Sequence, residues 1–160
     1  FGLLFGQLHD TYDVTGKLLE EKPVDMVTED TISSVLPLFT GTIQQQPPAF
    51  SALHIDGKRA YELAREDAAA VNLPTRTVSV YSLVLDRFEH PRAWLTASVG
   101  GGCYIRSLCV DIAKQLGTVG TMFSLERTKQ GQFLLEESLD LNDCCHRDRV
   151  ERVMENQKTN

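Results

Sequence analysis

The 160-residue chain has few cysteines, and the four present (Cys103, Cys109, Cys144 and Cys145) include no C-x-x-C pair. Its four histidines are scattered, so zinc-site spacing is absent, no metal is expected, and a reduced intracellular compartment fits. Long apolar runs are missing too. Phe1 to Phe5, and Val24 to Val27 with Asp25 inside it, fall far short of the ~20 residues of a membrane span. No phosphate loop, dinucleotide fingerprint or Ser-His-Asp order can be assembled, which removes triad hydrolases and nucleotide-cofactor enzymes. The opening Phe-Gly-Leu-Leu-Phe has no initiator methionine, basic segment or small-residue cleavage site. It reads as neither a signal peptide nor a natural start, with something upstream left out.

What is present is ordinary for a soluble protein: 42% hydrophobic and 24% charged residues, enough for one sizeable core in one domain. A chain of this size buries about 70% of its unfolded surface and needs no disulfide or structural metal. Acidic residues outnumber basic ones, 22 to 16, for a net charge of −6, which argues against non-specific coating of nucleic acid. The distribution is uneven. Gly100 to Phe133 holds four basic residues (Arg106, Lys114, Arg127, Lys129) against two acidic ones, while acids collect in Glu20 to Asp30 and Glu136 to Asp143. One basic face touching phosphate is compatible with that total.

Residues 1 to 8 suit the end of a buried strand and a turn, and His9 to Gly16 an ordered polar loop whose Asp and Thr side chains bond nearby backbone. Thr28 is a helix N-cap, with Ile32, Val35, Leu36 and Phe39 at helical spacing. Pro37 removes a donor and predicts a kink or an end at Leu36. Gln44 to Leu53 is extended around Pro47-Pro48, Asp56-Gly57 turns, and Lys58 to Arg65 forms a short helix. Thr75 to Phe88 and Ala93 to Val99 read as adjacent strands. Gly100-Gly101-Gly102 then precedes a helix with the stripe Ile105, Leu108, Cys109, Ile112 and Leu116, ending at Gly117. Cys109 on that stripe reads as a small core hydrophobe. Ser124 to Leu135 reads as strand, turn and strand. Beyond Asn142 the chain is polar, apart from one amphipathic turn that Val150 and Val153 could seat, and Cys144 and Cys145 have no evident role.

The most specific stretch is Gly100 to Leu108. A glycine loop feeding a helix whose first turn carries Tyr104 and Arg106 admits two readings: an anion site with a flat ring on which a base can stack, or a plain turn with a surface Arg and a half-buried Tyr. Asp10 and Asp13 read as local backbone binders rather than paired acid/base carboxylates. His54 reads as outward-facing. Lys58, Arg59 and Arg65 are the solvated side of a short helix or, with Tyr61 and the Gln-Pro-Pro segment, an RNA-facing edge. With Arg127 these four make the candidate RNA-binding set.

Seven ordered stretches resemble the TruB-type tRNA pseudouridine synthases. They are Gly6 with Asp10-Thr11-x-Asp13-x-x-Gly16; Phe39-Thr40-Gly41; Gln46-Pro47-Pro48-x-x-Ser51-Ala52-Leu53; Asp56 to Arg65; Pro74-x-Arg76-x-Val78; Gly102-x-Tyr104-Ile105-Arg106-Ser107-Leu108-x-x-Asp111-Ile112; and Leu125-x-Arg127-Thr128-x-x-Gly131-x-Phe133. The resemblance implies an α+β fold, a mixed and mainly antiparallel sheet with flanking helices, N-terminally truncated. Residues 1–141 would be the C-terminal part of the catalytic domain and 142–160 a polar tail. It also implies isomerisation of the T-loop uridine of tRNA by base flipping, with no cofactor. Tyr104 would stack on the base and take the C5 proton, Arg106 would pair with the catalytic carboxylate, and Leu125 would wall the uracil pocket. The family's aspartate nucleophile belongs to a loop N-terminal to Phe1, so the chain alone is expected to be inactive. His9 stands where the family more often has threonine, and no RNA-binding PUA domain follows Leu141, a eukaryotic-like trait. A monomer acting on the T arm in cytoplasm, nucleus or mitochondrion is expected. A catalytically inactive RNA-binding or tRNA-folding protein of the same fold is the alternative.

Overall fold

In chain order the elements are β1 (Gly2–Phe5), β2 (Gln7–His9), β3 (Leu18–Glu21), α1 (Glu29–Val35), β4 (Gly41–Gln45), β5 (His54–Ile55), β6 (Lys58–Arg59), α2 (Ala60–Asp67), β7 (Arg76–Glu89), β8 (Arg92–Val99), α3 (Ile105–Gln115), β9 (Gly120–Ser124), β10 (Lys129–Gln130) and β11 (Phe133–Leu134). They come from a computed structural model that describes residues 1–55, 58–67, 71 and 73–138. The expected Asp56-Gly57 turn, the tail 142–160, its turn at Val150 and Val153, and Cys144 and Cys145 lie outside the described residues. Two compact units divide the chain, residues 1–125 and 126–160.

The first unit is built on a five-stranded antiparallel sheet in the order β4-β7-β8-β1-β9. This is the α+β, mainly antiparallel architecture expected. Leu3, Phe5, Val80, Ala93, Leu95 and Met122 of the sheet share one core with Ile32 and Leu36 and with Leu108, Cys109, Ile112 and Ala113 of α3. Cys109 is fully buried there, as its place on the stripe predicts, and burial pushes its thiol well above the ordinary range.

Local chemistry sets the helix limits. Thr28 Oγ1 accepts the Thr31 amide while Thr31 Oγ1 accepts the Thr28 amide, a reciprocal cap. The helix stops at Val35 and a 3-10 turn, Leu36–Phe39, carries Pro37, the early end that a missing donor imposes. At the other end of the core, Gly117 takes φ +78° and α3 closes with Thr118 N–H on the Ala113 carbonyl and Gly117 N–H on that of Lys114.

Three features depart from the sequence reading. Residues 58–59 form a two-residue hairpin with β5 before the helix begins at Ala60. His9 closes β2, paired with β3, rather than lying in a loop. It is buried with its ring Nδ1 3.2 Å from Thr121 Oγ1, which also accepts the His9 amide. The strand β9 begins at Gly120, four residues before the strand expected from Ser124. Its start lies so close to α3 that a Cβ at Gly120 would meet Ala113 Cβ at 2.6 Å.

Within the second unit, β10 and β11 pair across a tight turn and a 3-10 turn, Leu135–Glu137, follows. Among the described residues no helix is long and apolar enough to cross a membrane, and no cluster of three metal-ligating side chains occurs.

Candidate functional site

Two polypeptide segments converge on the head of α3. The first is the loop 10–16, which leaves β2 and returns to β3. Asp10 Oδ1 accepts the Lys17 amide, and Asp13 Oδ1 accepts both the amide and the hydroxyl of Thr15. The two carboxylates therefore order their own loop, as the Asx reading expected. Val14 N–H donates to Met122 and Met122 N–H to Tyr12, which binds the loop to the edge of β9 that β1 leaves unpaired.

The second segment is 46–53, which runs through the buried Pro47 and Pro48 and then bends at residues 49–52, with Ser51 N–H on the Ala49 carbonyl, instead of staying extended to Leu53 as the prolines predict. The Gln46 carbonyl accepts the Ser107 hydroxyl at 2.7 Å. Ser107 is almost fully buried, so this bond satisfies a hydroxyl that water cannot reach.

Arg106 joins the two segments. Its Nη1 donates to the Thr11 carbonyl at 2.8 Å and its Nη2 to the Phe50 carbonyl at 2.9 Å. A planar guanidinium can span two acceptors in this way. The side chain is thus an internal staple, not the plain surface Arg of one sequence reading. Tyr104 is the N-cap of α3, in extended conformation and half-buried, with no side-chain cap bond. Among the described residues its hydroxyl makes no hydrogen bond, which leaves the phenol available.

Tyr12 of the loop 10–16, which sequence reasoning missed, feels the charge of Asp111 in the second turn of α3. Tyr12 adopts φ +60°, a left-handed conformation that costs a bulky side chain free energy and is tolerated where surroundings over-determine it. Burial raises its hydroxyl pKa, and the negative charge of Asp111 raises it further. Asp111 itself is pushed up to about 6 by burial, with Lys114 acting in the opposite direction. The signal in the sequence was an aromatic residue inside a loop rich in turn formers.

The remaining candidates are dispersed. Leu125 closes the first unit and is 53% exposed. Arg59 is exposed, donating through its amide to Glu62 and through Nη1 to the Ala52 carbonyl at 3.3 Å. Tyr61 is half-buried, and the Arg65 guanidinium carbon stands 5.4 Å from its ring centre. Lys58 is described only through its backbone in β6. His54 is exposed, as expected. Arg127, in the second unit, bonds Gln130 at 2.8 Å. Arg106 and Tyr104 thus sit at one junction, while exposed Arg59 at the end of β6, half-buried Tyr61 in the first turn of α2 and exposed Arg65 in its last turn belong to another part of the first unit. A shallow depression lined by Leu36, Pro37, Leu83 and Val84 gathers no titratable groups.

Sequence and structure comparisons agree with this architecture. Residues 1–105 match the family described as TruB family pseudouridylate synthase (N terminal domain). The chain is 46% identical over 132 residues to the human protein named pseudouridylate synthase TRUB1, covering 82% of this chain and 38% of that protein. It is 38% identical over 139 residues to the tRNA pseudouridine synthase B of Mesoplasma florum, covering 86% and 48%. The chain therefore spans less than half the length of these relatives. Among solved structures, a Cbf5-Nop10-Gar1 complex contains a chain with TM-score 0.58 and 28% identity, covering 89% of this chain and 33% of that one. The matched span contains the loop 10–16, the 46–53 segment and Tyr104, and on these grounds the chain belongs to the TruB family of pseudouridylate synthases.

Proposed function

We propose that this chain forms the base-binding side of a site that isomerises the T-loop uridine of tRNA to pseudouridine. The observation that carries the reading is the staple of Arg106 on the carbonyls of Thr11 and Phe50, which holds two loops against the helix turn that begins just after Tyr104. A uridine stacked in its helix presents neither face of its ring, so the base must leave the stack to be worked on. The phenol of Tyr104 offers a flat surface for it and an oxygen for proton transfer. In the isomerisation the C1′–N1 bond breaks, C1′ bonds to C5, Tyr104 takes the C5 proton, and N1 ends protonated.

The nucleophile in this reading is an aspartate outside these 160 residues, with Arg106 beside it, and residues 1–141 are the C-terminal part of its catalytic domain. The commitment of Asp10 and Asp13 to loop bonds supports that assignment. Leu125 supplies an apolar wall, and Lys58, Arg59, Tyr61, Arg65 and Arg127 engage the phosphates and shape of the T arm. No cofactor takes part. The protein acts as a monomer inside the cell, where tRNA is made or used.

The test is tritium release from a T-arm RNA labelled at uracil C5. The chain alone is expected to bind this RNA without releasing tritium, and to release it once the front segment of the human relative is supplied. Binding without release in both cases would make this an RNA-binding or tRNA-folding protein instead. Release by the chain alone would move the nucleophile to Asp10, Asp13 or Asp111.

A further inference from the structure

Gln45, the last residue of β4, is 1% exposed, and a buried carboxamide must find partners for both its oxygen and its nitrogen. Both go to one residue. Gln45 Oε1 accepts the Tyr104 amide at 2.8 Å and Gln45 Nε2 donates to the Tyr104 carbonyl at 3.1 Å. The same nitrogen reaches Cys103 Sγ at 3.9 Å. The side chain thus pairs with the tyrosine backbone as a neighbouring strand would.

Tyr104 needs such a partner. Its φ of −98° and ψ of 109° are extended, outside the helix it begins, and no side chain caps it. Apart from the first bond of the helix itself, Leu108 N–H to the Tyr104 carbonyl, the Gln45 amide makes both backbone hydrogen bonds of this residue. With the hydroxyl unbonded among the described residues, the direction of the ring is set from the backbone upward. Ser107 and Arg106 anchor the next turn to Gln46 and Phe50, and neither reaches the tyrosine backbone.

We infer that Gln45 is a positioning residue for Tyr104: its buried amide fixes the backbone from which the phenol is aimed at the base. This rests on the role proposed above for Tyr104. A role limited to packing β4 on α3 would need only the volume of the side chain.

The experiment uses the 160-residue chain labelled with 3-fluorotyrosine, whose four fluorine lines come from Tyr12, Tyr61, Tyr81 and Tyr104 and are assigned by single Tyr→Phe changes. Gln45→Met keeps the volume and loses both bonds, and is expected to move or broaden the Tyr104 line while leaving those of Tyr61 and Tyr81 in place. Gln45→Leu also loses both bonds, and provides a second variant should the first fail to fold. It is expected to move the same line. An unmoved Tyr104 line in a folded variant overturns the inference, as does an equal change in all four lines. T-arm RNA added to the unsubstituted chain is expected to shift the Tyr104 line, and to lose most of that shift in Gln45→Met. If RNA leaves the line of the unsubstituted chain unmoved, the role of Tyr104 in base binding fails, while the free-state result still decides the effect of Gln45.

Discussion

Segment 46–53 serves two helices, and it holds them in opposite ways. Toward α3 it works through long-range bonds to side chains, from Ser107 to Gln46 and from Arg106 to Phe50, with Gln45 just ahead of it on the Tyr104 backbone. Toward α2 it works through nearby backbone bonds, Ala60 N–H to Leu53 and Tyr61 N–H to Ser51, and leaves Arg59, Glu62 and Arg65 exposed. At the first junction the polar groups of Gln45, Arg106 and Ser107 are tied to partners distant in sequence, so losing one leaves another unmet. At the second, the charges are individually replaceable because water already solvates them. Aiming a side chain and attracting a polyanion are different tasks, and the two junctions differ accordingly.

The largest expected effect comes from breaking the first junction. Arg106→Ala removes the donors of the Thr11 and Phe50 carbonyls and should cost about 2–4 kcal/mol in urea unfolding. Arg106→Lys should recover only part of that, because one ammonium cannot reproduce a planar fork on two carbonyls. A loss below about 0.5 kcal/mol, the range of ordinary surface changes, would mean that the staple contributes nothing.

Asp111 sharpens the same side. Its pKa is pushed up from 3.8 to about 6 in the fold, so the folded state binds the proton more tightly than the unfolded one. The resulting stabilisation is complete below pH 3.8 and is lost as pH rises through 6. Asp111→Asn should therefore match the parent chain at low pH and exceed it by about 1–2 kcal/mol at neutral pH, since water still screens part of the charge at this half-buried position. Urea midpoints across that range that rise and fall together in both chains would show that the buried charge carries no such penalty.

The smallest effect on stability belongs to the exposed charges of β6 and α2. Arg59→Ala and Arg65→Ala should each change it by less than about 0.5 kcal/mol. Each should also weaken T-arm binding and flatten its logarithmic salt dependence by roughly one. Unchanged salt slopes in both variants would take this surface out of RNA recognition and leave the contrast between the junctions purely structural.

Where a residue's role is set by its neighbours in the chain, the sequence is readable. Thr28 begins a helix, Pro37 ends it, Gly117 closes the last one, and the alternation through Val78, Val80, Leu83, Ala93 and Leu95 marks two strands. Tyr104 and Arg106 stand out beside a glycine run. The loop 10–16 obeys Asx chemistry that any Asp-Thr-Gly cluster announces. What the pattern hides is partnership at a distance. That Arg106 would grip main-chain carbonyls 95 and 56 residues away has no local signature. The hairpin β2–β3 escapes notice because Leu18 to Glu21 are all exposed and show no alternation. Gln45 had a signal that was easy to pass over: two residues beyond the half-buried Ile43, it falls on the inner side of β4.

Gln44, Gln45 and Gln46 are chemically interchangeable, yet the fold gives them three different surroundings. Gln44 turns its amide outward to Thr77 Oγ1 at 2.9 Å, Gln45 buries its own, and Gln46 lends its carbonyl to Ser107. Side-chain identity cannot tell this stretch which glutamine goes inward. The choice falls to the apolar pair of Ile43 opposite Val78 and to the prolines that end the strand, because a slip of one residue exchanges the two faces. Such a slip would still present an amide of the right kind from the wrong place, so the phase of one short edge strand guards the aim of a tyrosine nearly sixty residues away.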